Sequence, residues 1–154
     1  PPLLDFIGTV VVPATTDLFV ARDKFVVGSA GIVWIGENFK AWFLGKTEEL
    51  AGEAKLRYEK LTRPSVDGPI LAELGEKAET TLAQLYALME RQANGEEGVL
   101  LTNGWANIFY IRDANGELRA VYVVWDGGGW YVNAYSVTHP YGWYDEHRVF
   151  SGNS

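Results

Sequence analysis

The chain has 154 residues, enough for one domain that buries roughly 70% of its unfolded surface without staples. Its net charge of −7 argues against nucleic acid and against an anionic membrane surface, since both demand a basic patch. The absence of cysteine excludes disulfides, thiol chemistry and cysteine-ligated zinc. No apolar run reaches the roughly 18 residues of a membrane span, so no membrane insertion is expected. No signal peptide is evident, and the opening Pro1-Pro2 is expected to follow a missing native N-terminus.

In chain order, Phe6–Val12 is rich in β-branched residues and predicts a strand ended by Pro13. Leu18–Val27 has further strand character, residues 28–31 form a Gly-flanked turn, and Ile32–Ile35 predicts a short buried strand. Phe39, Trp42 and Phe43 fall at i, i+3, i+4, so residues 38–44 predict a short helix stopped by Gly45. Leu56–Glu59 alternates as a strand does. Residues 64–69, with Asp67-Gly68-Pro69, predict a loop. The run from Glu76 to Ala93 predicts the main amphipathic helix, with Leu82, Leu85, Tyr86 and Met89 on one face and Asn94-Gly95 closing it.

Beyond that helix the pattern turns to strands and tight turns. Val99–Leu101, Asn107–Arg112, Glu117–Trp125 and Trp130–Tyr135 predict strands. Asp113–Gly116 and Asp126–Gly129 are the turns between them. The expectation is an α+β single domain over residues 1–154. Residues 1–98 form a scaffold half, and residues 99–154 an antiparallel β-meander with the ligand-binding region. On the last predicted strand Trp130, Val132 and Ala134 share one face and predict core; Tyr131, Asn133 and Tyr135 share the other and predict a contact surface.

Residues 125–150 hold three of the six tryptophans, four of the eight tyrosines and both histidines, with Arg148 as the sole basic residue of the Lys/Arg type. Trp143, Val149 and Phe150 are expected to anchor this irregular segment. His139, Tyr141, Tyr144, Asp145, Glu146 and His147 are expected to be displayed. Tyrosine gives contact area at low entropic cost, and Gly, Asn and Asp adapt around it, as in an antibody paratope. The positions expected to be exposed are Asp126, Gly127, Gly128, Tyr131, Asn133, Tyr135, His139, Tyr141, Gly142, Tyr144, Asp145 and His147. All are Asp, Gly, Tyr, Asn or His, five of the many types reached from an Asn codon by changing its adenines. Glu146 lies outside that set.

The frame W-x-V-x-A-x-S-V-x-x-P-x-x-W from Trp130 to Trp143, then Arg148–Ser151, combines with VLLTNGWANIFYIRDANGELR at residues 99–119. Together they resemble the variable proteins of diversity-generating retroelements. The resemblance implies a C-type-lectin-like fold that binds ligands through a C-terminal region rewritten at template adenines. The variable positions it implies are Tyr122 and the twelve exposed positions just named. Trp130, Val132, Trp143 and Phe150 would be scaffold anchors. A protein or glycan ligand is expected, and no catalytic residue, metal or cofactor is assigned; the resemblance is compatible with display on a cell or virion surface, and calcium dependence stays open.

Two other functions compete. His139, Asp145, Glu146 and His147 suit a metal-dependent hydrolase in residue type, because two imidazoles and a carboxylate can hold zinc or iron. Glu37 and Asp145 are a conceivable glycosidase pair. An assembly subunit, such as a virion component, would use the aromatic surface as a permanent interface. No G-x-S-x-G, P-loop or dinucleotide motif is present.

Overall fold

The structure is a computed structural model and describes residues 1–153. In chain order the elements are β1 (Leu4–Val12), β2 (Phe19–Val20), α1 (Ala21–Lys24), β3 (Ile32–Ile35), α2 (Glu37–Phe43), β4 (Thr47–Glu48) and β5 (Ala54–Leu61). There follow α3 (Asp67–Leu74), a 3-10 turn (Gly75–Lys77), β6 (Glu79–Thr80), α4 (Leu82–Arg91), β7 (Asn107–Arg112), β8 (Leu118–Asp126), β9 (Gly129–Ser136) and β10 (Arg148–Gly152). One mixed sheet runs β1-β5-β10-β7-β8-β9-β3, with β6 also paired to β7; β2 and β4 form a separate ribbon. The class is α+β, with few helices. No helix among the described residues is long and apolar enough to cross a membrane.

Side-chain alternation sorts the sheet into two faces. One carries Phe109, Val121, Val123, Trp130, Val132, Ala134 and Phe150, packed against Phe39 and Phe43 of α2 and Leu82, Leu85, Leu88 and Met89 of α4. The other carries Leu61, Ile108, Tyr110, Ala120 and Val149, packed against Ile70 of α3 and against Trp143. β7, β8 and β9 form the expected antiparallel meander. At the β8–β9 turn Asp126 pairs with Gly129, and Gly127 and Gly128 have φ of 61° and 95°. Positive φ at both central residues matches the strand twist in a two-residue hairpin, and explains the glycines.

β10 is not a further meander strand. It lies between β5 and β7, antiparallel to the first and parallel to the second, and therefore parallel to β9. Antiparallel neighbours can be joined by a tight turn, but parallel strands require a crossover. Residues 137–147 are that crossover, and they pass over the face of β8 that carries Tyr122 and Val124.

Five expectations are corrected. Leu18–Val27 is a strand only at Phe19–Val20; the chain then coils so that Ala21 and Phe25 are buried four apart, leaving Val26 and Val27 exposed. β3 is an edge strand, so only Ile32 and Ile35 are buried, while Val33 and Trp34 face solvent. Residues 64–69 are not all loop: α3 begins at Asp67, and Pro69 fits its first turn, where no N–H is needed for the helix. The main helix spans 82–91, not 76–93, because Thr81 and Gln84 form a capping box and the Glu48 carboxylate accepts the N–H groups of Leu82 and Ala83. Glu79 and Thr80, just before it, pair with β7. Finally, Val99–Leu101 is not a strand. Its backbone groups are met by buried amides, Gln92 bonding both N–H and C=O of Leu100, and Asn107 both those of Leu101.

Candidate functional site

Trp143 organises the crossover. Its backbone pairs both ways with Ser65, and its indole Nε1 donates to Asp67 Oδ1 at 2.8 Å. Tyr110 Oη donates to the same oxygen at 2.7 Å. Asp67 is 2% exposed, and burial raises its pKa against the opposing effect of these two donors. Burial, with Asp67 beside it, likewise pushes the Tyr110 phenol above its ordinary range. A carboxylate at the start of α3 thus ties the crossover to the centre of the sheet.

Around Trp143 the crossover and sheet enclose a concave pocket of about 580 Å³. Its floor is Tyr122, Val124, Tyr135 and Trp143; His139 and Tyr141 rise on one side, Trp105 and His147 on another, with Tyr144 at the rim. The rings brace one another. Tyr122 stacks on Tyr135 at 5.1 Å, Tyr135 on His139 at 4.2 Å, and Trp143 meets Tyr122 edge-on at 5.4 Å. His147 lies edge-on to Trp105 at 5.2 Å and to Trp143 at 5.6 Å. Edge-on and offset contacts of this kind hold aromatic side chains in fixed orientations. Tyr141 and Tyr144 stay open to solvent, 77% and 64% exposed.

Three ring nitrogens of the pocket, Trp143 Nε1, His147 Nδ1 and His139 Nδ1, are engaged by the protein. The Ala106 N–H donates to His147 Nδ1 at 2.8 Å, which holds the neutral ring with its proton on Nε2. Burial independently pushes the His147 pKa below the ordinary value. His139 Nδ1 faces the backbone of Tyr141. Burial, then the contact with Tyr135, raises the Tyr122 phenol above its usual range.

Of the thirteen positions implied to vary, Tyr122, Tyr135, His139, Tyr141, Gly142, Tyr144 and His147 line this pocket. Asp145 is exposed outside it. Asp126, Gly127 and Gly128 form the hairpin tip, about 20 Å along β9 from Tyr135. Tyr131 is 37% exposed and leans on Trp34 at 5.8 Å. Asn133 is not a free contact residue: its Oδ1 accepts the Phe39 N–H at the start of α2, and it fills the space beside Gly36, where a Cβ would meet it at 2.0 Å. Gly142 is also constrained, because a Cβ there would lie 2.8 Å from the Ser65 carbonyl oxygen. The four scaffold anchors are buried, Trp130, Val132 and Phe150 at 0% exposure.

Four pocket residues do not follow from the sequence analysis: Gly104, Trp105, Ala106 and Val124. Trp105 and Ala106 lie in the Asn103-Gly-Trp-Ala106 turn, and Asn103 Oδ1 accepting the Trp105 N–H shapes that turn. The signal was an exposed-type tryptophan flanked by turn residues. Val124 follows from alternation with Tyr122 on β8.

The metal-binding set is not assembled. Among the described residues no three His, Asp or Glu side chains converge as a metal site. His147 Nδ1 is occupied by Ala106, and Glu146 is turned to Lys60 at 3.1 Å. A second cleft of similar size, about 590 Å³, lies between Arg57, Glu59, Glu73, Lys77 and Ser151, and holds none of the residues singled out above. Comparison of the chain with protein-family models, curated proteins and solved structures finds no match.

Proposed function

We propose that this chain is a non-enzymatic ligand-binding protein of the retroelement variable-protein type, with a C-type-lectin-like scaffold. The observation that carries the reading is the gathering of seven of the thirteen implied variable positions, from β8, β9 and the crossover, into one aromatic pocket. The rest of that pocket hangs on residues outside the variable set, Trp143 and Asp67. Such a division lets contact residues change while the frame stays. The meander β7–β9 followed by a long return to β10 supports the lectin-like assignment, since it places the crossover on one face as a display element. Affinity comes from burial of tyrosine and tryptophan, and selectivity from the hydroxyl and imidazole groups at the rim.

The test is a fold-and-binding comparison on glycan and protein arrays. Replacing Tyr141 and Tyr144 by Ala is expected to leave Tm within about 2 °C and to remove array binding. Unchanged binding in that double variant would refute the assignment of this pocket.

A further inference from the structure

The pocket rings carry no counter-charge from the protein. Its lining contains no Lys or Arg, whereas six of its twelve residues are Trp or Tyr. Elsewhere the chain covers its own surface rings with cations: the Arg119 guanidinium sits 3.8 Å from the Trp42 ring, Arg57 4.6 Å from Phe6 and Arg148 5.2 Å from Tyr58. Lys24 lies 5.8 Å from the ring of the buried Tyr86. None of the four contacts falls on a pocket ring. The basic residues of the neighbouring segment are already used. Lys60 is paired with Glu146, and Arg63 donates to the carbonyls of Pro1 and Pro2.

Two further features set the sign of the charge this site favours. An indole whose N–H is held by a carboxylate, as Trp143 is by Asp67, presents a more electron-rich face. Asp145 stands exposed beside the rim, and the chain as a whole carries −7.

We infer that the pocket takes an arginine side chain of a protein partner, its guanidinium plane laid on the exposed rings of Trp105 and Tyr144 above the buried Trp143. Arginine suits such a site better than lysine, because its planar, weakly hydrated group stacks on aromatic faces and its methylene stem adds apolar contact. The inference rests on the proposed binding function of the same pocket and narrows it to one ligand chemistry.

The test uses Nα-acetylarginine methylamide and its neutral isostere, Nα-acetylcitrulline methylamide, titrated into the 15N-labelled chain. The indole N–H resonances of Trp105 and Trp143 report. The arginine compound is expected to move both along a saturating curve, and the citrulline compound to bind about 2- to 30-fold more weakly. Tyr144→Ala is expected to weaken the arginine titration without moving Tm. Equal binding of citrulline overturns the inference and leaves the pocket as a binding site. Indoles unmoved by arginine also overturn it, while the array experiment decides the broader function separately.

Discussion

Replacing Asp67 by alanine removes the one oxygen that accepts from both Tyr110 and Trp143. Each buried donor left without an acceptor costs about 1–3 kcal/mol, so the pair costs roughly 2–6 kcal/mol. Removing a buried carboxylate returns part of its desolvation cost, which brings the net loss to about 2–4 kcal/mol. In a domain of this size that lowers Tm by roughly 5–15 °C. Asp67→Asn keeps an acceptor oxygen and is expected to cost less than about 1 kcal/mol. The sign with pH differs too. Because the folded pKa of Asp67 is raised above 3.8, its contribution is greatest in acid and declines as pH rises from 3.8 through the raised value. The asparagine variant lacks that decline. Urea melts of the three proteins at several pH values, with the Trp143 indole resonance as a local probe, decide the matter. An alanine variant within about 1 kcal/mol of wild type, or an asparagine variant as damaged as alanine, would refute the claim that this carboxylate pins the crossover.

Emptying the Trp130 site, which is 0% exposed, should cost on the order of 3–5 kcal/mol, whereas Tyr141→Ala should stay within about 0.5 kcal/mol in the same denaturant melts. Since the His147 pKa is lowered in the fold, its stabilisation is complete above the ordinary 6.5 and is lost as pH falls from there through the folded value. His147→Asn, which keeps an acceptor for the Ala106 N–H, should flatten that part of the stability–pH curve. Glu146 has φ of 82°, so Glu146→Gly should be neutral or stabilising by up to about 1 kcal/mol despite losing the exposed pair with Lys60. Gly142→Ala should lower Tm and weaken array binding, because its Cβ must displace the Ser65 carbonyl against which Trp143 is paired.

Much of the fold was legible from local pattern. The alternation of Trp130, Val132 and Ala134 against Tyr131 and Tyr135 appears as drawn, and so do the Asp126–Gly129 turn and the Phe39/Phe43 face of α2. What local pattern lacked was long-range pairing. The acceptor for Trp143 lies 76 residues away, in a stretch whose Asp, Gly and Pro read as a turn although each also suits a helix start. The insertion of β10 between β5 and β7 has no local signature either, because nothing in a strand of five residues specifies its partners. Half of the candidate site was therefore readable. The tyrosines and histidines were found by residue type, but their separation from Asn133, Tyr131 and the hairpin tip required the register of β8, β9 and the crossover. Gly142 and Asn133 show the limit of reading by type: both belong to the adenine-reachable set, yet one has backbone against it and the other caps a helix.

The central claim is that a changeable aromatic pocket sits on a fixed frame, and sequencing this locus across many cells of the source population tests it most directly. The account predicts substitutions concentrated at Tyr122, Tyr135, His139, Tyr141, Tyr144 and His147, with Trp130, Val132, Trp143, Phe150 and Asp67 constant. Asn133 and Gly142 should vary least among the positions the retroelement reading implies. A constant pocket with changes scattered over the rest of the surface would contradict it.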